Sequence, residues 1–586
     1  MGDSFEAITA RNRRHRLGLT LNNEYSEQVS EDEKVKDTQI VNDSDNENEK
    51  HKIENSDDSI ELIDSKGKVV SRDFDLNDKE IDTLKSSLTN FKKLRYKKSS
   101  KFRSKFKNVN TSSSTIFDAD YFKNSDFYGF YIIFWLATGF FIFNQVVHHY
   151  FNKNEFFLNG VIMNLFKKNL IIVALTDAIM YFSQFLVVFI QYLFKYQILS
   201  WSYGQFIQIG FEIGYMTFWL YIINTSSSFT WIARVFLVLN SLVYLMKIHS
   251  YGFYNGYLWT IYRELSLSES ILKNLKRDEN GEIIDHEIEN QLIESIAFCT
   301  FELEYQSQVN SFNNDDAISA KIIDKIISNH HVTTNHNDKT KNNPHYFPNN
   351  ISLKNYFIYS IYPTVVYTLN FPKTKKIRWK FVFEKICGVF GIIILMVIVA
   401  ENFMLPLINQ TIEIRKLPLQ DRLIPFFLIL LDMIPPFLFQ YIFSFFLIWD
   451  QILNAIAELT RFADRDFYGP WWSSSDWSDF ARLWNKPVHN FLLRHVYHSS
   501  ISSIKVNKGI ATFITFVISS IIHEIVMMCI FKTFRGYLFL LQMSQIPLVM
   551  ISRTKYLRDK KVLGILICWI GFMTGPPIIC TLYLIY

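Results

Sequence analysis

Long, nearly uncharged apolar runs alternate with polar connections along most of this chain. The runs fall at 127–147, 169–194, 206–224, 229–246, 381–406, 424–454, 510–531, 536–551 and 562–586. Most reach the roughly 18–20 residues that a helix needs to cross about 30 Å of hydrocarbon, and a soluble core helix rarely needs so many. They predict an all-α polytopic membrane protein of about nine transmembrane helices. The eighth run is the shortest, and Pro435-Pro436 interrupts the sixth, where a helix is expected to break.

The connections differ from one another. Residues 1–120 are rich in Asp, Glu, Asn, Ser and Lys without a sustained apolar period, which predicts a disordered cytosolic N-terminal region. Within it an acidic stretch at 43–61 precedes a basic cluster from Lys92 to Lys107. That cluster suits attraction to anionic cytosolic headgroups, or a plain solvated linker. Residues 307–350 read as a low-complexity insertion; their Asn-rich composition accounts for His330 and His331 without a metal site. The stretch 356–379 places Tyr362-Pro363 and Phe371-Pro372 among aromatics, as a re-entrant or interfacial element would.

Composition narrows the picture. Hydrophobic residues make up 49% of the chain and aromatics 16%, yet mean hydropathy is only +0.06, so apolar content is gathered in blocks. The first twenty residues lack an apolar core of signal-peptide type, so entry into the membrane is expected through internal spans. Five cysteines are scattered without a CxxC pair, which favours packing roles over disulfides or zinc. A net charge of +5 is too small to imply nucleic acid.

Candidate chemistry starts from the ionisable residues at membrane depth. His523 lies in the run at 510–531 with Glu524 as its only charged neighbour. Out of water a neutral imidazole can accept a proton from an alcohol, as a general base must. An interhelical packing bond is the other use of such a residue. Some forty to fifty residues upstream, Trp471, Trp472, Trp477 and Trp484 fall within 14 positions, four of the chain's 12 tryptophans. Arg461, Arg465, Arg482, Lys486, Arg494, Lys505 and Lys508 accompany them. Aromatic faces beside fixed cations suit a ligand with an adenine ring and several phosphates, such as coenzyme A. Snorkelling basic residues at an interfacial loop would look similar.

These residues also carry a resemblance. The stretch Phe467, Tyr468, Gly469, Pro470, Trp471, Trp472, Ser473 resembles the FYxDWWN motif of the sterol O-acyltransferase branch of the membrane-bound O-acyltransferases, fungal type. Trp484 to His489 resembles the WNxxVH element, and His523-Glu524 the family's intramembrane histidine. The resemblance spans residues 120–586 and implies a transmembrane acyltransferase domain over 121–586, with 458–507 as its acyl-CoA-binding segment and helices around a buried catalytic chamber.

By the same resemblance His523 is the base, with Asn485 and His489 lining the chamber. Phe467, Tyr468, Trp471, Trp472, Ser473, Arg482, Tyr497, Lys508 and Ser519 are expected to contact acyl-CoA. The partners implied are acyl-CoA from the cytosol, a sterol arriving through membrane lipid, and further copies of the chain in a homo-oligomer, dimer or tetramer. The location implied is the endoplasmic-reticulum membrane. Acyl-CoA is a co-substrate, and no cofactor or metal is expected. No GxSxG nucleophile elbow occurs, so no acyl-enzyme is needed. The chain departs from the motif at Pro470 and Ser473, where the family has an acid and an asparagine. Diacylglycerol O-acyltransfer, or a weakly active or transporting paralogue, are the competing readings.

Overall fold

The computed structural model describes residues 114–153, 160–274, 286–308, 345–552, 554 and 560–585. The chain divides into two units, Met1–Ser71 and Arg72–Tyr586. All of the first unit, the basic cluster at 92–107 and the histidine-bearing stretch at 309–344 lie outside the described residues.

The described residues are helical apart from loops and one isolated antiparallel bridge, Lys373 to Phe462. Eight helices among them are long and apolar enough to cross a membrane. These are α1 (Tyr128–Lys153), α2 (Leu170–Lys195), α3 (Trp201–Thr225), α4 (Trp231–Asn274), α7 (Trp379–Ile414), α8 (Leu419–Leu459), α11 (Lys508–Phe531) and α13 (Lys561–Ile585). Between them lie α5 (His286–Gln308), α6 (Leu353–Ile361), α9 (Trp477–Trp484), α10 (486–504) and α12 (Tyr537–Ser552).

Three expectations are refined. The eighth apolar run is a pair of short helices, Tyr537–Met543 and Gln545–Ser552; Pro547 in the second has no N–H to give a carbonyl one turn back. The fourth run continues as a helix of 44 residues, about 66 Å at the helical rise. Its polar half is held by α5, against which Tyr254 donates to Gln306 at 2.7 Å and Tyr257 to Glu302 at 3.2 Å. Pro435 and Pro436 sit inside an unbroken helix, Leu423–Phe445. The irregularity comes later, as a π-helical turn at Phe446–Ile452, a widening often found where a side chain is re-aimed for use.

Two buried clusters carry the packing. One joins α2, α3, α4, α5 and α6 through Tyr251, Tyr254, Tyr356, Tyr359 and Tyr367. The second joins α7, α8 and the Trp-rich segment through Phe443, Phe445, Tyr468, Trp471 and Phe572. Irregular backbone between them is secured from within. Lys247 donates to the carbonyls of Ser360 at 2.6 Å, Tyr362 at 2.7 Å and Tyr359 at 3.3 Å. Backbone without regular partners is tolerated in a membrane protein where protein groups satisfy it.

Candidate active site

His523 lies about two-thirds of the way along α11, and that helix packs against α4, α12 and the π-helical part of α10. Its Nδ1 is 2.7 Å from the carbonyl oxygen of Ser519, one turn back. A carbonyl can only accept, so Nδ1 carries the hydrogen and Nε2 presents its lone pair. His523 keeps accessible surface while lying deep among the helices. Glu524, one position on, turns about 100° around the helix and takes the inward side. It is buried and accepts from the backbone N–H groups of Gly536 at 2.7 Å and Phe539 at 3.1 Å, and from the Tyr583 hydroxyl. The carboxylate thus ties α11 to the start of α12 and to α13.

The motif residues divide between packing and the surface. Phe467, Tyr468 and Trp471 are buried, Trp472 is half-buried and Ser473 exposed. Trp471 packs against Phe445, Trp484 and Phe572 with ring centroids 5.1, 4.7 and 5.4 Å away. Pro470 has φ −74° and ψ 60°, and the Trp471 N–H meets the Gly469 carbonyl at 2.8 Å. This is an inverse γ-turn, for which proline's fixed φ is preset. A shallow, open pocket adjoins it, lined by Trp471, Trp472, Ser474, Phe480, Trp569 and Phe572 among others.

The two halves of the resemblance are brought together by backbone. Gly469 N–H donates to the Leu483 carbonyl at 2.8 Å, Lys486 N–H to the Phe467 carbonyl at 3.1 Å, and the Lys486 ammonium to Asp466 at 2.6 Å. Asn485 caps α10, its side-chain oxygen accepting from Val488 N–H at 3.3 Å, which leaves its NH₂ to donate elsewhere. His489 follows one turn later; burial, then the charges of Arg482 and Lys486, push its pKa down to about 4. Arg482 pairs with Asp479 on the exposed face of α9. Tyr497 is half-buried on α10, and Lys508 opens α11 at an exposed position.

Several ionisable residues have structural tasks, among them Arg465 and Arg494, which the sequence placed with the cations for coenzyme A. Arg494 donates to the Tyr367 carbonyl at 3.0 Å and lies over the Tyr254 ring at 4.6 Å. His495 reaches the Ser250 hydroxyl at 2.9 Å, and burial, then His249 and Arg494, hold its pKa well below the ordinary value. Lys385 pairs with both Asp118 and Asp450 at 3.0 Å. Glu458 receives Arg378 through two side-chain nitrogens and the backbone N–H, and Arg465 as well. Lys385 and Asp450 stand within apolar runs, the same signal that singled out His523. Among the described residues no three His, Cys, Asp or Glu side chains group as metal ligands would.

The C-terminal span α13 braces the Trp-rich segment. Trp569 donates to the Trp472 carbonyl at 3.0 Å. A Cβ on Gly564 would overlap the Ser475 carbonyl, and one on Gly571 would overlap the Trp477 ring. Two bare backbone positions seven residues apart therefore form a notch on one face of the helix.

Residues 288–585, just over half of the chain, match the membrane-bound O-acyltransferase family. The chain belongs to that family. Among its relatives, Sterol O-acyltransferase 2 of Candida albicans is 50% identical over 503 residues, covering 83% of this chain and 80% of the relative. Sterol O-acyltransferase 2 of Saccharomyces cerevisiae is 42% identical over 467 residues, covering 79% and 67%. Diacylglycerol O-acyltransferase 1 of Dictyostelium discoideum is 33% identical over 240 residues, covering 40% and 37%. The protein is thus a multi-pass membrane acyltransferase.

Proposed function

We propose that this chain transfers a fatty acyl group from acyl-CoA to the 3-hydroxyl of a sterol in the endoplasmic-reticulum membrane, giving steryl ester and CoA. The observation that carries the reading is His523 itself, a residue with accessible surface whose tautomer the Ser519 carbonyl fixes with Nε2 unprotonated. Nε2 takes the hydroxyl proton as the sterol oxygen attacks the thioester carbonyl carbon. The Asn485 NH₂, left over after its oxygen caps α10, donates to the developing oxyanion. The intermediate collapses with cleavage of the carbon–sulfur bond, and the imidazolium returns its proton to the departing thiolate. Acid and base use of one histidine balances, so no cofactor is required beyond the co-substrate.

The acceptor assignment draws on the relatives. Those matched over four-fifths of this chain carry the sterol name, whereas the diacylglycerol enzyme is matched over 40% of it. A paired-acceptor assay is the test: microsomes containing the chain receive labelled oleoyl-CoA with either ergosterol or diacylglycerol. Steryl ester is expected, and none from His523→Ala at equal protein level. Triacylglycerol alone would overturn the acceptor, and no ester from either would overturn the reading.

A further inference from the structure

The residues that lead into α1 end in a buried anchorage. Thr115 is 2% exposed although it borders the polar N-terminal region. Its hydroxyl donates to Asp118 at 3.0 Å, and Asp118 shares the Lys385 ammonium with Asp450. Asp450 is fully buried and accepts the Tyr468 hydroxyl at 2.8 Å through its other oxygen. A continuous run of charge-assisted bonds therefore links Asp118, Lys385, Asp450 and Tyr468, from the entry of the chain to the aromatic motif. The π-helical turn at Phe446–Ile452 carries Asp450.

A second contact lies beside the first. The ring of Phe117 stacks on Trp472 with centroids 5.4 Å apart, and also meets Phe446 at 5.3 Å and Tyr468 at 6.2 Å. The Trp-rich segment is gripped from both sides, by α13 through Trp569 and by residues 115–118 through Phe117 and the ion chain.

We propose that residues 115–118 form a strap that sets the position of the Trp-rich segment, with Phe117 and Asp118 as positioning residues for the acyl-CoA donor. The donor part rests on the reading of 458–507 given above. Neither residue touches the reacting atoms; each acts through Trp472 or Tyr468. Removing the Asp118 charge leaves Lys385 paired one-to-one with Asp450, so Asp118→Asn does not strand a buried charge.

The test uses the purified full chain and the variants Phe117→Ala, Asp118→Asn and Asp118→Glu. Hydrogen exchange of the amides at 467–474 reads the strap itself. Faster exchange is expected in the first two variants, with recovery in Asp118→Glu; unchanged exchange in both would overturn the strap. Binding of a non-cleavable oleoyl thioether of CoA, with kcat and KM for oleoyl-CoA and ergosterol, reads its consequence. Donor affinity and donor KM are expected to weaken about tenfold while kcat and the sterol KM stay within about twofold. Equal losses in kcat and in both KM values would overturn the positioning role. If the wild type fails to bind the thioether, the donor reading of 458–507 fails instead, and exchange alone decides the strap.

Discussion

The His523 imidazole is anchored to the backbone of its own helix through the Ser519 carbonyl 2.7 Å away. The anchor needs no side chain, so it survives changes in Ser519 that preserve helix. Replacing His523 with Ala or Gln removes the proton acceptor and should lower turnover by roughly 10²–10⁴-fold without loss of folded protein. Quantifying ester formation against protein level in microsomes checks this.

Stability should respond to pH through two groups with opposite signs. Burial pushes the Asp464 carboxyl up to about 7 from its ordinary 3.8. Its contribution is complete below pH 3.8 and is lost as pH rises through 7. His489, lowered to about 4 from 6.5, contributes fully above pH 6.5, and that contribution is lost as pH falls through 4. Unfolding midpoints of the purified protein across this range should therefore change slope in Asp464→Asn and His489→Gln. The first variant should gain relative stability toward neutral pH and the second toward acid; curves parallel to wild type would contradict both assignments.

Glu458 holds a buried and an exposed arginine together. Arg465 is 2% exposed, whereas the Arg378 side chain is 61% exposed. Glu458→Gln leaves the Arg465 charge without its partner and should cost roughly 3–5 kcal/mol. Arg378→Gln, at the wet end, should cost no more than about 1 kcal/mol. Thermal unfolding in detergent separates the two.

Pro470 presets a turn, and both it and Ser473 face outward. Restoring the family residues with Pro470→Asp and Ser473→Asn should therefore leave acyl transfer within about twofold, and should cost about 0.4–1 kcal/mol through the freed unfolded chain. A large rise in rate would mean that the acid contributes chemistry this chain lacks.

The spans were legible because crossing hydrocarbon imposes a length on the sequence itself. The polar half of α4 was not, since only its partner α5 makes that stretch worth ordering as helix. His523 was legible as an ionisable group in an apolar run, and its neighbours on α11 agree with that placement. The aromatic motif was visible as a cluster, but not the division of labour within it: Trp471 turned inward, Ser473 outward. Nothing in the spacing of Asp118, Lys385 and Asp450 announces that they meet, because their encounter depends on how three helices pack. The γ-turn at Pro470 follows from the fixed φ of proline only once the Gly469 carbonyl has been placed.

The notch at Gly564 and Gly571 sets an order of events during synthesis. The tryptophan segment leaves the ribosome some eighty to a hundred residues before these two glycines do, so for that interval Ser475 and Trp477 lack the helix face they pack on. A chain stalled short of residue 571 would hold every side chain proposed for the chemistry and still lack the seat of Trp477.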